Sequence, residues 1–405
     1  MRVILFTGKG GVGKTTTAAA TAVEAARRGI KTLVMSTDAA HSLGDALGVD
    51  LSAAAGSRDP LVEVEPGLCA LQLSAARSVR RSWRSVQDYL LTVLGALGVD
   101  PVVADEVTEL PGADEIVALL ELRAQVESGP WDLVVVDCAP TAETLRLLSL
   151  PEALSWHLER LMPAQRGILR TLRPAAQAAA GLPLPGVQVL ETLRRWRESL
   201  SEIQSVLTAD TTSVRLVLTP ERVVIAESRR TLTSLGLYGV AVDQVVVNRV
   251  FPEAGQGTAQ AGWLGGWNEA QQRGLQEVRQ SFEPLPIVIT PYLSSEPVGV
   301  DGLAALAEAR TGDIRDVLAT PPAQGMTVRP DGGGYLLTLP LPLVNAVEVD
   351  LKRRDDELLI SVGDHRRVLS LPSVLRRCVV TGAKVRNATL RVRFAPDEKI
   401  WPRHD

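Results

Sequence analysis

Only three of the 405 residues are cysteines, Cys69, Cys138 and Cys378. Their wide separation excludes a disulfide framework and a CxxC metal site, and a reducing cytoplasm is the expected compartment. Four methionines are too few for a Met-rich, re-packable binding surface. No apolar run approaches the roughly 18 residues that span a bilayer, and Met1-Arg2 leads straight into an apolar stretch without a signal-peptide pattern. Direct membrane insertion is therefore not expected. The net charge of −4 gives no global pull toward nucleic acid or an anionic membrane. What remains, 45% hydrophobic and 22% charged residues, is ordinary globular composition. The length suffices for two or three domains.

Lysine is the most informative shortage. Of 43 basic residues only six are lysines, at positions 9, 14, 31, 352, 384 and 399. Two of these fall inside Gly8-Lys9-Gly10-Gly11-Val12-Gly13-Lys14-Thr15-Thr16. That stretch follows the apolar run Val3-Ile4-Leu5-Phe6-Thr7 and precedes an alanine-rich helical stretch from Thr16 to Arg28. Strand, glycine loop and helix in that order are the context a P-loop requires. Glycines let successive backbone N–H groups turn inward toward phosphate oxygens, and the helix N-terminus adds its dipole. Lys14 is placed to reach β- and γ-phosphates, and the Thr15 hydroxyl to sit on Mg²⁺. A plain connecting turn would need neither lysine. An arginine fork does not replace a compact ammonium among phosphates, and Lys9 is one lysine more than an ordinary P-loop uses.

The rest of the chain alternates strand and helix patterns, which predicts an α/β fold with a mostly parallel sheet flanked by helices. Strands are expected at 31–38, 68–73, 131–137, 214–219, 240–247 and 285–290. Helical spacing at 75–128 and 150–210 predicts a helical subdomain, interrupted by the low-complexity segment 174–186. After Thr320-Pro321-Pro322-Ala323-Gln324-Gly325 the period changes to two, at 335–339, 347–351 and 390–394. These shifts divide the chain into a P-loop domain over 1–318, a linker over 319–326 and a small antiparallel β-sandwich over 327–405.

Phosphoryl transfer needs a metal carboxylate and a group that positions water. Asp137 ends an apolar strand, as a metal-facing carboxylate does, although aspartates also end strands as caps. Asp38 ends the second strand and serves equally as a water-orienting carboxylate or as a helix N-cap. Cys138-Ala139-Pro140-Thr141 forms a stiff turn beside Asp137.

Together these pieces resemble the deviant-Walker-A ATPases, and within them the family of the arsenite-pump ATPase and the tail-anchored-protein targeting ATPase. The matching motifs are, in order, Lys9 in the loop, 36–43 (Ser-Thr-Asp-Ala-Ala-His-Ser-Leu), 111–115, 137–148, Thr219-Pro220-Glu221, Val247-Asn248-Arg249 and Pro291-Tyr292-Leu293. They span roughly residues 1–315. The resemblance implies ATP and Mg²⁺ as cofactors and hydrolysis in a homodimer, with Lys9 crossing to the partner's phosphates. It implies nucleotide contacts from Gly8 through Thr16 and from Asn248, Pro291 and Tyr292, with Asn248 on adenine. Thr15 and Asp137 would serve the metal, and Lys9, Lys14 and Asp38 the chemistry. Ala39, His41, Ser42, Asp45, Pro140 and Thr141 would lie in switches that couple nucleotide state to the helical subdomain. The first reading is a dimeric ATP-driven switch that binds or delivers a membrane-protein or apolar client. Ala39 departs from the family's proline, and Ala142-Glu143 from its glycine-histidine. The cysteine cluster expected for metalloid sensing and the CxxC zinc clamp are both missing, so energising an arsenite or anion efflux system is the second reading. Too few paired cysteines exist for an iron–sulfur ATPase, and no basic membrane tail suits a partition or septum regulator. The C-terminal stretch resembles the α-crystallin domain of small heat-shock proteins, through 339–342, 347–349, 357–363, 366–367, 371–376 and 390–394. That likeness implies protein binding or dimer support.

Overall fold

The computed structural model describes residues 1–37, 42–51, 61–72, 87–88, 91, 113–138, 187–252, 263–321, 326–344, 349–363 and 365–397. Its centre is a nine-stranded sheet in the order β3-β4-β2-β5-β1-β6-β7-β8-β9. The strands are β1 (Arg2–Thr7), β2 (Thr32–Ser36), β3 (Leu61–Glu65), β4 (Leu68–Gln72), β5 (Leu133–Asp137), β6 (Thr212–Leu218), β7 (Val242–Val250), β8 (Ile287–Pro291) and β9 (Thr311–Gly312). All seven from β4 to β8 pair in parallel, and only the outer pairs β3–β4 and β8–β9 are antiparallel. The fold is thus the mostly parallel α/β sheet that the alternation predicts. The inner strands β1, β2, β5 and β6 are buried throughout, which explains their continuous apolar runs.

Helices α1 (Lys14–Arg27), α2 (Ser42–Leu47), α3 (Ala113–Ser128), α4 (Val187–Leu207), α5 (Arg222–Tyr238), α6 (Trp263–Phe282) and α7 (Gly299–Glu308) accompany the sheet. The alanines of α1 are almost all buried, including Ala18, Ala19, Ala22 and Ala25. Small side chains let this helix lie close between the sheet and α7. Leu119 and Leu122 of α3 and Leu200, Ile203 and Leu207 of α4 join the same core, and Arg123 pairs with Glu202 between the two helices. Most of the predicted helical regions, 75–112 and 150–186, lie outside the described residues.

Seven further strands follow: β10 (Thr327–Asp331), β11 (Gly334–Pro340), β12 (Val349–Arg354), β13 (Glu357–Val362), β14 (His365–Ser370), β15 (Cys378–Val385) and β16 (Thr389–Pro396), with a short helix α8 (Ser373–Arg376). They form antiparallel sheets β10-β11-β16-β15 and β12-β13-β14. Leu337, Leu339, Val392 and Phe394 from the first meet Leu358, Ile360, Val362 and Leu369 from the second in one core. In β13 and β16 alternate residues turn inward, which is the period-two pattern of a β-sandwich. Leu237 of α5 belongs to this second core, so one helix of the parallel-sheet region is shared with the sandwich.

Candidate functional site

Ligands of parallel α/β sheets bind at the C-terminal ends of strands, where connections leave in opposite directions. Here that point is the end of β1. From β1 the next strands in sequence lie on one side, beyond β5, and β6 to β8 lie on the other. The chain leaves Thr7, turns through 8–13 and enters α1. Gly8 and Gly13 are required by the packing of this loop. A Cβ on Gly8 would stand 2.1 Å from the Val217 carbonyl oxygen, and one on Gly13, at φ +90°, 2.2 Å from Asn248 Nδ2. A Cβ on Gly10 or Gly11 would meet nothing within 4 Å. That side of the loop is open, as a phosphate cradle must be.

Lys14 is 7% exposed, and its Nζ donates to the Lys9 carbonyl oxygen at 3.3 Å. Its ammonium therefore spans the loop that it would serve. The next residue, Thr15, donates from Oγ1 to Asp137 Oδ2 at 2.7 Å and lies 3.1 Å from Ser42 Oγ. Ser36 Oγ donates to the same carboxylate oxygen at 3.2 Å. Register explains the convergence, since Ser36 and Phe6 are the residues paired with Asp137 on the neighbouring strands. Hydroxyls and one carboxylate are the hard oxygen set that suits Mg²⁺. Among the described residues no group of three or more His, Cys, Asp or Glu side chains could hold a metal. Mg²⁺ typically takes only one or two carboxylates, with phosphates and water completing its shell, so the set fits.

Cys138 adjoins this cluster but does not share its chemistry. Burial, and then the Asp137 charge, push its thiol well above the usual range. It stays neutral, and a neutral thiol is neither nucleophile nor ligand.

Lys9 sits outside the cradle. Its side chain is 39% exposed, and Nζ lies 3.6 Å from Glu227 Oε2 on α5.

Beside the loop lies a cleft of about 430 Å³ lined by Gly13, Thr16, Asn248, Pro291, Tyr292 and Leu293, among others. The structure thus brings the predicted Asn248, Pro291 and Tyr292 together next to Thr16. Asn248 is held in a particular way: Nδ2 donates to the Val12 carbonyl at 2.8 Å. The β7–β8 register shifts between Val247 and Val250, and Arg249 takes φ +57°. Such a bulge re-aims side chains at the end of a strand. Tyr292 stacks on Phe251 with ring centroids 5.3 Å apart, and the Gln271 amide clamps both backbone polar groups of Phe251.

Sequence reasoning missed Ser36 as a partner of Asp137, and also Glu227, Phe251 and Gln271. Phe251 carried a usable signal, being one of four phenylalanines and placed three residues after Asn248, directly beyond the end of β7. Ser42 joins the cluster, whereas Asp45 is exposed and lines a separate crevice with Gly48, Asp50 and Gln72. Asp38, Ala39, His41, Pro140 and Thr141 lie outside the described residues.

The family model for anion-transporting ATPases matches residues 1–311, and that of the HSP20-like domain found in such ATPases matches residues 332–394. An uncharacterised protein of Streptomyces coelicolor is 41% identical over 403 residues, covering 100% of both chains. A putative arsenical pump-driving ATPase of Prosthecochloris vibrioformis is 36% identical, over 97% of this chain and 96% of the relative. The ATPase get3 of Aspergillus terreus is 30% identical, over 76% of this chain and 90% of the relative.

Proposed function

The chain belongs to the anion-transporting ATPase family and is an ATPase, and from that premise we propose a homodimeric switch driven by Mg-ATP hydrolysis that binds or delivers a membrane-protein or apolar client. The observation that carries the reading is the placement of the two loop lysines. Lys14 lies inside the loop beside the Thr15–Asp137 oxygen cluster, whereas Lys9 projects outward, half-exposed and away from its own cradle. A lysine so placed serves a phosphate site on a second copy better than its own.

In this reading Gly8 to Thr16 hold the phosphates, and Lys14 neutralises their charge. Thr15 and Asp137 hold Mg²⁺, which when bound offsets charge on the β- and γ-phosphates. Asp38 orients the attacking water. Asn248, Pro291 and Tyr292, joined by Phe251, face the base. Residues 1–318 form the ATPase domain, 319–326 the linker and 327–405 the sandwich. The segments holding Ala39, His41, Ser42 and Asp45, and Pro140 and Thr141, would answer to the γ-phosphate and move the neighbouring helices. Among the described residues no helix is long and apolar enough to cross a membrane, so in this reading a membrane protein is a client or partner.

The experiment is ATP turnover and equilibrium nucleotide binding for Lys9→Ala and Lys14→Ala. Lys9→Ala should keep nucleotide and lose at least about tenfold in turnover, while Lys14→Ala should lose both. Normal turnover by Lys9→Ala would remove the dimeric site. The second reading, an energising ATPase of an arsenite or anion efflux system, is favoured by the name of the Prosthecochloris relative and opposed by the three scattered cysteines, because soft thiolates are the expected metalloid ligands. Arsenite stimulation of hydrolysis would favour this second reading; crosslinking of single-span membrane proteins that depends on ATP would favour the first.

A further inference from the structure

Helix α5 touches both halves of the molecule. Toward its start, Glu227 is the carboxylate that meets Lys9. On either side of Glu227, Ile225, Leu232 and Leu235 enter the core of the parallel sheet. At its end it is gripped by the sandwich. Leu237 enters the sandwich core, Thr233 Oγ1 donates to the Pro342 carbonyl at 2.9 Å, and Tyr238 Oη donates to that of Arg366 at 3.2 Å. Arg367, only 8% exposed, donates from Nη1 to the Leu237 carbonyl at 2.5 Å. A terminal carbonyl of α5, which has no partner within its own helix, is therefore satisfied from the sandwich. Contact is close enough that a Cβ on Gly236 would stand 2.6 Å from Pro342 Cδ.

Between Glu227 and Leu237 the helix contains no proline, and its one glycine, Gly236, lies within the gripped end against Pro342, so the span is one continuous helix. Ten residues of helix set the two ends about 15 Å apart. A small slide or roll at the gripped end thus reaches Glu227 along one continuous helix, against the resistance of the Ile225, Leu232 and Leu235 contacts with the sheet.

We propose that Glu227 is the positioning residue for Lys9, holding it on its own chain before ATP arrives, and that the C-terminal sandwich sets the strength of that hold through α5. This inference rests on the reading of Lys9 as the residue that crosses to the partner's phosphates. Magnitude decides what kind of device it is. Both side chains are about one-third exposed, and such a pair shifts an equilibrium roughly 1.5- to fivefold. That is too weak for a lock and suited to a bias. The polyanionic triphosphate out-competes one carboxylate, and the threshold for doing so depends on where α5 is held.

The test uses the full chain and ATP itself. Turnover is measured against ATP concentration at about 50 mM and about 500 mM salt, because an exposed pair is screened at the higher value. At low salt Glu227→Gln should lower the half-saturating ATP concentration about two- to fivefold, and at high salt it should match the wild type. Thr233→Val with Tyr238→Phe removes two grips while keeping shape. It should shift the same quantity in the same direction by less, and add nothing in the Glu227→Gln background. Should the double variant fold poorly by thermal melt, Thr233→Val alone carries that arm. An unchanged half-saturation for Glu227→Gln, or a shift that survives high salt, overturns the hold. Additive effects in the combined variant overturn the role of the sandwich. Lys9→Ala separates the two failures: if it hydrolyses normally, the dimeric reading falls, and if it fails while Glu227→Gln behaves as wild type, only the present inference falls.

Discussion

At the N-terminal ends of the strands Asp243 is fully buried and faces three guanidinium groups: Arg2 at 3.0 Å, and Arg215 and Arg315 at 3.7 Å. At the C-terminal ends Asp137 is equally buried, yet its Oδ2 accepts from the neutral hydroxyls of Thr15 and Ser36. The partners differ in what can replace them. Arg2 also donates to the carbonyls of Val3, Thr211 and Ala319 and to Ser213, while Arg215 donates to that of Arg315. These contacts tie β1, β6 and β7 to the segment after α7, and no ligand could displace them without unfolding that end. Burial costs even these cations, as the Arg215 guanidinium is pushed down to about 10. Hydroxyls around a carboxylate can give way to a cation at little cost. One end of the sheet is closed by charge, and the other is kept ready for it.

The sharpest way to break this comparison is Asp243→Asn. Removing one partner from a buried cluster leaves uncompensated cations, and a loss of roughly 3–5 kcal/mol of stability is expected. Chemical denaturation would read it, with nucleotide affinity of the folded protein unchanged. A melt like that of the wild type would mean that this end is not held by its charges. The counterpart, Asp137→Asn, should do the reverse. Ligand-free stability should change by less than about 1 kcal/mol, since two hydroxyl hydrogen bonds survive in altered form. Mg²⁺-dependent turnover should fall by at least about 100-fold. Equal stability losses in the two variants would erase the distinction.

The two ends were also unequally legible in the sequence. The phosphate loop is written contiguously, because a backbone cradle needs its glycines and lysines in fixed order, and Asp137 announces itself after four apolar residues. The clustering of Arg2, Ser213, Arg215, Asp243 and Arg315 spans more than 300 positions and follows only from strand order, which no local spacing encodes. Strand β3 was invisible for another reason. Its Val-Glu-Val-Glu pattern is that of a half-exposed edge, with too little apolar content to stand out. In the C-terminal region, by contrast, β16 buries alternate residues and β12 half-buries them, and both were readable as strands from that period. Glu227 had no signal at all, since its meaning depends on where α5 lies over the loop.

A smaller effect separates shape from charge at the ligand-ready end. Phe251→Ala should raise the ATP concentration for half-maximal turnover about three- to tenfold, the worth of one aromatic pair, with less change in maximal rate. An unchanged value would place the base away from the Phe251–Tyr292 stack.

The smallest effect is expected where the closed end meets solvent. Arg28 Nη2 lies 2.5 Å from Asp316 Oδ2, but both side chains are close to half-exposed. This pair holds the same segment that Asp243 grips through Arg315. Exposed pairs contribute about 0.2–1 kcal/mol and are screened by salt, so Asp316→Asn should destabilise by no more than that, and by nothing measurable at high salt. The sign with pH follows from the Arg28 hydrogen bond, with the Leu318 amide second, holding the Asp316 carboxyl below its usual range. A carboxyl depressed on folding adds stability that is complete above its ordinary pKa and lost as pH falls through the depressed value. Wild type and Asp316→Asn should therefore converge in stability in strong acid and separate slightly near neutrality. A difference that grows in acid, or one as large as that of Asp243→Asn, would show that exposure does not divide the two contacts.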